Sequence, residues 1–352
     1  MEFGLSEDQI LLRDSVQQFL AKEIPLEEVR RFSTKSARGD TWERLADHGI
    51  AGMLLPENCG GTGLTIFDAA IVSELLGYNV TPNSFIGSAV LLPHLIPKVD
   101  SSLAQTIGIE LASGTATVGI ALGETIGARA DGGIIGDGMK LNGKALYVHD
   151  FGSTHYLVAD SERRLYLTDS EAAGIEKNEL STIDKTRLSG SLTFNQTPAK
   201  CLTNNPKIIE EIIDIGRIML AADTLGAAQN MLDQAVQYAK VRKQFNRQIG
   251  SFQAVKHMCA EMAAALEPCR AMLWYAAYAA ESLPDELHLV ACHTKSHISE
   301  IAKFVAKTAT EVHGGMGFTD LLGLHYWFKR IGYNRQLLGS PDIVRQEAAK
   351  LL

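Results

Sequence analysis

The spacing of apolar residues changes character twice along the 352-residue chain, and those two changes bound what it can fold into. Up to about residue 113 apolar residues recur at helical intervals. Ser6 and Gln9 have capping-box spacing, and Ile10, Leu11, Val16, Phe19 and Leu20 follow on the same period. Thr41 to His48 and Phe67 to Gly77 predict further helices, with the Gly60-Gly61-Thr62-Gly63 loop between them. From Thr115 short runs rich in β-branched and aromatic residues take over, among them TATVGIAL, HYLVAD, RLYLTD and GSLTFN. Their spacing of about 8 to 12 residues, punctuated by glycine, predicts antiparallel β structure. From Ile208 the helical period returns and runs to the C-terminus. Ile208 to Val241 predicts one long helix, with Ala221, Leu225, Ala228 and Leu232 on its apolar stripe. Ser251 to Ser282, Pro284 to Val312 and Pro341 to Leu352 predict more. The small residues Ala263 to Ala265 and Ala276 to Ala280 are expected on inner faces, which suits a four-helix bundle. The expected organisation is a helical domain over 1–114, a β domain over 115–200 and a helical bundle domain over 201–352.

Composition narrows the function classes. Apolar residues make up 46% and charged residues 21%, ordinary for a globular protein long enough to bury its core without staples. A net charge of −8, from 33 basic and 41 acidic residues, argues against a nucleic-acid partner. Cys59, Cys201, Cys259, Cys269 and Cys292 show no CxxC spacing, which fits a reducing, cytoplasmic compartment and no metal cluster. The acidic, amphipathic N-terminus is unlike a signal peptide, and no apolar run reaches the length of a membrane span. The glycine loop at 60–63 lacks the Lys and Ser/Thr of a P-loop and is expected to be a turn. His149, His155, His257 and His313 lack ligand spacing and are expected to be structural or rim residues. Asp184-Lys185-Thr186-Arg187 is also expected to be structural.

Residues 238–257, YAKVRKQFNRQIGSFQAVKH, carry the most specific chemistry. Arg242 offers a donor fork for phosphate oxygens, and Phe245 can cover a flat ring. The alternative is a solvated basic helix end at Lys240 to Lys243, which a helix C-terminus favours anyway. The whole string resembles the flavin-contacting segment of the acyl-CoA dehydrogenase family, written RxQFGxxIGxFQAVQH. MEFGLSEDQILLRDSVQQFLAKE resembles that family's first helix, LLPENCGGTGL at 54–64 its PExxGGxGL turn, and EVHGGMGF at 311–318 its QxHGGxGF loop. These come in the family's order and cover nearly the full chain. The resemblance implies an N-terminal all-α domain, a middle antiparallel β domain and a C-terminal four-helix bundle. It implies FAD as cofactor, an acyl-CoA thioester as substrate and electron-transferring flavoprotein as electron acceptor. It also implies that Arg242, Gln244, Phe245, Gln253, Gly314 and Gly315 reach a neighbour's FAD. Glu311 stands where the family has Gln at an adenine-side contact.

The same resemblance shows what is missing. The family's catalytic base is a Glu in a YEGT-type motif or in an LDLER-like helix. The matching stretches are Leu337-Leu338-Gly339-Ser340 and Ile213-Asp214-Ile215-Gly216-Arg217, so the two positions hold Leu338 and Gly216, neither of which can take a proton. Asp214 and Asp342 lie close by as candidates for a relocated base. Ser340 keeps the hydroxyl of the YEGT threonine. The flavin-facing TEPxAGSD and WITN strands correspond to Leu122 to Gly127 and Tyr147 to Asp150, where an aromatic survives at Tyr147 but the Thr and Asn are gone. Glu124 is a candidate contact there, or a solvated strand end. The asymmetry implies a divergent subunit that pairs with a homologous, base-carrying acyl-CoA dehydrogenase, as in bacterial steroid side-chain and alicyclic acid degradation. The alternatives are a self-sufficient homomeric dehydrogenase with a relocated base, and a flavin-free acyl-CoA-binding or scaffold protein.

Overall fold

A computed structural model describes residues 4–35, 40–126 and 133–351, the side chains of Lys35 and Glu124 excepted. Among the described residues six α-helices precede the β region: α1 (Glu7–Glu23), α2 (Leu26–Lys35), α3 (Thr41–Asp47), α4 (Ile66–Tyr78), α5 (Leu92–Val99) and α6 (Ile107–Ala112). The capping box forms as its spacing predicts: Gln9 N–H donates to the Ser6 hydroxyl at 3.2 Å, and Ser6 N–H donates to Gln9 Oε1 at 3.0 Å. The glycine loop is a turn, with Gly60 and Gly63 at φ 79° and 63°. Helices α2, α5 and α6 carry no strong sequence signal. They are short, and α5 follows a π-helical stretch at Ile86–Leu91 that breaks the 3.6-residue period.

The β region holds β1 (Val118–Ala121), β2 (Gly133–Gly136), β3 (Lys140–His149), β4 (His155–Ala159), β5 (Leu165–Asp169), β6 (Ile175–Leu180), β7 (Ser189–Pro198) and β8 (Lys200–Thr203). They form one sheet in the order β6-β7-β3-β1-β4-β5-β8, with β2 added on β3. The expected antiparallel pairing needs one correction: β1 and β4 run parallel, Val118 opposite His155 through Ala121 opposite Val158. Parallel neighbours need a long connection, and the intervening β2 and β3 supply it. The buried face packs Ile134, Leu141, Val148, Tyr156, Tyr166, Leu192 and Phe194 together. The stretch expected as a flavin-facing strand at 122–127 is a 3₁₀ turn at Gly123–Ile126, with Gly127 and the Glu124 side chain outside the described residues.

Five helices follow: α7 (Pro206–Val241), α8 (Gln253–Ser282), α9 (Pro284–His313), α10 (His325–Gln336) and α11 (Pro341–Ala349). A two-strand ribbon, β9 (Lys243–Gln244) with β10 (Arg247–Gln248), links α7 to α8. By backbone contacts the chain forms two compact units, one within residues 1–31, 70–81 and 217–352, the other within 32–69 and 82–216. In the first, α4 crosses α7 at two glycines. A Cβ on Gly226 would fall 1.8 Å from the Glu74 carbonyl oxygen, and one on Gly77 1.9 Å from that of Asp223. Bare backbone is what allows this approach. Ala276 and Ala277 are buried on α8 as expected, but Ala263 and Ala264 are exposed. The inward face there is built by Met262, Leu266 and Cys269 instead. Among the described residues no helix is long and apolar enough to cross a membrane.

Candidate functional site

The ribbon between α7 and α8 gathers four of the candidate residues. Arg242 leaves the end of α7, its N–H donating to the Tyr238 carbonyl at 2.9 Å, and its own carbonyl accepts from Ile249 N–H at 2.8 Å. Gln244 pairs with Arg247 across the ribbon, so the turn consists of Phe245 and Asn246, both left-handed at φ 52° and 62°. That is the two-residue hairpin geometry that normally selects Asn-Gly. Asn tolerates it; a phenylalanine there is costly, by about 1 kcal/mol or more. The result is an aromatic ring held 87% exposed at the tip. Phe252 meets Phe245 edge-on at 6.1 Å, and the Arg247 guanidinium lies 3.9 Å over the Phe252 ring. Gln253 then opens α8, whose N-cap residue Phe252 provides no side-chain acceptor for the first-turn N–H groups. Such a helix start suits an anion. A guanidinium, an amide, an exposed ring and a helix N-terminus thus lie on one short exposed arm, a donor set that fits the diphosphate and a flat ring of a dinucleotide.

The second group lies at the end of α9. Glu311 is exposed in its last turn, and Gly314 ends it at φ 58°. A side chain at Gly315 would meet open space, so nothing in the free chain demands glycine there. His313 is buried, its Nδ1 within 2.7 Å of the Ala309 carbonyl, and burial holds its pKa below the usual imidazole value. Its ring lies against Tyr238, centroids 4.7 Å apart and planes tilted by 33°. Because Tyr238 also accepts the Arg242 N–H, the arm and the glycine turn leave the bundle from neighbouring points.

Leu338 and Ser340 form the corner between α10 and α11. Leu338 is 4% exposed and left-handed at φ 55°. Its carbonyl accepts from Arg217 Nε at 3.0 Å. The Ser340 hydroxyl caps α11, accepting from Ile343 N–H at 3.5 Å. Asp342 is in the first turn of α11, 78% exposed at its side chain and 3.8 Å from Arg345, the helix-dipole placement expected of a structural carboxylate. Gly216 and Asp214 lie within α7, both buried. The strand matched to the flavin face carries a β-bulge between Ala145 and Val148, where Tyr147 is left-handed at φ 53° and 56% exposed. Bulges re-aim side chains in this way. His149 and Asp150 behind it are buried, 3.3 Å apart. Asp150 also borders a cleft of about 240 Å³ beside Trp42, Asn83 and Thr186.

Two buried cations near the Leu338 corner escaped the sequence reading. Arg217 and Lys295 are each 1% exposed. The signal for Lys295 was present: one lysine among Ala291, Ile298 and Ser299, its helical neighbours on a buried face.

The chain is similar to known proteins over its whole length. Two family models match it, "Acyl-CoA dehydrogenase, N-terminal domain" over residues 6–96 and "Acyl-CoA dehydrogenase, C-terminal domain" over residues 207–352. Acyl-CoA dehydrogenase IpdE2 of Mycobacterium tuberculosis is 29% identical over 345 residues, 97% of this chain and 96% of that protein. Among solved structures, a Tcur3481-Tcur3483 steroid ACAD variant superposes with a TM-score of 0.89 at 27% identity, covering 98% of this chain and 97% of that one. The ChsE4-ChsE5 complex from Mycobacterium tuberculosis shares the fold at a TM-score of 0.89 and 22% identity, covering 100% and 99%.

Proposed function

The chain belongs to the acyl-CoA dehydrogenase family, and from that premise we propose that it is the FAD-completing, base-lacking subunit of a heteromeric acyl-CoA dehydrogenase. The reaction is α,β-dehydrogenation of an acyl-CoA thioester, with electron-transferring flavoprotein as acceptor. The three-domain division at 114/115 and 200/201 is part of the same reading. The relative solved as Tcur3481-Tcur3483, a steroid ACAD named for two chains, supports both the mixed assembly and a steroid-type acyl group.

The observation that carries the proposal is Leu338. At the family's base position this chain has a buried alkyl side chain, and the second position, Gly216, has no side chain at all. Abstraction of the α-proton therefore falls to a carboxylate on the homologous partner, since general-base catalysis needs a group that titrates. FAD, when bound, supplies the hydride acceptor for the β-carbon. This chain's residues would hold it: Arg242 would neutralise diphosphate charge, Gln244 and the first turn of α8 at Gln253 would donate hydrogen bonds, and Phe245 would cover a ring face. Gly314 and Gly315 let the backbone come close, and Glu311 accepts where an amide would both donate and accept. Ser340 O–H would donate from the corner.

The test is to purify the chain alone and with a co-produced homologous dehydrogenase, measuring flavin per chain by absorbance. Little or no flavin alone and a loaded complex is the expected result. Stoichiometric FAD and full turnover in a homomer would overturn it.

A further inference from the structure

Lys295 lies near the middle of α9 with its ammonium sealed from solvent. It donates to the Asn334 carbonyl at 2.7 Å, with the Arg335 carbonyl at 3.4 Å and the Ser299 hydroxyl at 3.5 Å. Both carbonyls belong to the last turn of α10, where the aligned peptide dipoles concentrate negative charge. A few residues on, Arg217 holds the Leu338 carbonyl through Nε. Its Nη1 donates to Cys292 Sγ at 3.4 Å, and its Nη2 lies 2.7 Å from a Glu347 oxygen of α11. Two buried cations therefore grip the backbone on either side of Leu337, just where Leu338 and Gly339, at φ 55° and 106°, turn the chain into α11.

We propose that Lys295 is a positioning residue: it clamps the C-terminal turn of α10 and with it the Leu337–Ser340 corner, firmly when protonated and loosely when neutral. The inference needs only this local geometry and stands apart from the function proposed above. If that function also holds, the clamp sets where Leu338 and Ser340 stand.

The chemistry follows from donor count. An ammonium offers three N–H groups to these three acceptors, in charge-assisted bonds; a neutral amine offers two, in weaker ones. Burial first, and then the neighbouring Arg217 and Arg335, bring the Lys295 pKa down to about 7. The charged and titratable groups packed around it come from four helices. From α7 there are Arg217 and Asp223; from α10, Arg335 and Arg330; from α11, Glu347; from α9 itself, Glu300, Cys292 and His288, the last two with their ligand atoms within 4.8 Å of each other. The carboxylates are engaged by the arginines, Glu347 with Arg217, Glu300 with Arg335 and Asp223 with Arg330. Among the described residues Lys295 makes no ion pair and rests on backbone carbonyls and one hydroxyl.

The experiment is amide hydrogen exchange of the full-length chain, resolved to the 336–343 segment and corrected for intrinsic rate, from about pH 6 to pH 8.5, a window spanning the group's titration. In the wild type the opening of this segment is expected to rise about tenfold across the window, the order by which a charge-assisted bond exceeds a neutral one. Lys295→Met should be open at both ends with no step. Cys292→Ser should keep the wild-type step. A flat wild-type profile overturns the proposal whatever the variants do. A step lost in Cys292→Ser would assign the titration to the thiol and overturn it as well. Should Lys295→Met fail to fold, the wild type with Cys292→Ser and His288→Gln decides the matter: a step kept in both variants is expected, and a step lost in either overturns the proposal.

Discussion

Arg242 is exposed on an arm its own bundle makes little use of, so its removal tests a contact made elsewhere. In the assembled enzyme Arg242→Ala is expected to weaken FAD retention by about one to two orders of magnitude, since a hydrogen bond to a charged group contributes roughly 1.5–3 kcal/mol. Dissociation monitored by flavin fluorescence measures it, and unchanged retention would show that the guanidinium does not touch the cofactor. Asp214→Asn and Asp342→Asn ask the opposite question. On the proposed reading, in which the base comes from the partner, each is expected to leave anaerobic flavin bleaching by acyl-CoA within about threefold of wild type, against the roughly 10²–10⁴-fold that a general base contributes. A collapse of that rate in either variant with FAD still bound would mark a relocated base in this chain. The candidates at this scale were legible from residue type, because Arg, Phe and Gln each have a definite donor or ring chemistry. Lys295 was not, since a lysine reads as surface unless its helical neighbours are weighed with it. Only the fold shows that its acceptors come from Asn334 and Arg335, some forty positions downstream.

Where α4 crosses α7, the side-chain-free contact sets the spacing of two helices. Gly226→Ala drives a methyl into the Glu74 carbonyl with no flexible neighbour to give way. The expected cost is about 1–3 kcal/mol or more, as for other overpacked sites, read as a lower urea midpoint. A midpoint equal to wild type would mean the helices can separate freely. Long elements such as α7 and α9 were legible because their period persists over many turns. The short ones were not: α5 and α6 have 8 and 6 residues, too few to show a period. The parallel β1–β4 pair was hidden for another reason. A strand's own residues specify its faces, whereas its neighbour depends on connections far away in sequence. Ala263 and Ala264 were misplaced because small residues fit inside and outside alike, and their size alone does not select a face.

Over the whole molecule, Lys295 gives stability a pH dependence whose sign can be worked out. Its folded pKa, about 7, lies below the ordinary lysine value of 10.5. Between those values the unfolded chain binds the extra proton, so this group makes stability rise with pH across the window, with its full penalty present below pH 7. From pH 7 to pH 9 the contribution amounts to roughly 2 kcal/mol, and the rise in stability over that interval should be smaller by that amount in Lys295→Met. Urea unfolding of both proteins at the two pH values measures it; equal slopes would show that Lys295 titrates normally. Local and global behaviour then run in opposite directions, the corner loosening as the fold strengthens. The tip of the arm has a consequence of another kind. Phe245 stands 87% exposed in a strained turn, with Val241 at 70%, Phe318 at 81% and Leu321 at 74% in the same unit. Surplus copies would carry uncovered apolar surface and tend to stick to one another. On the two-subunit reading proposed above, a cell would do best to make both chains in matched amounts, so that dosage balance becomes part of what selection acts on.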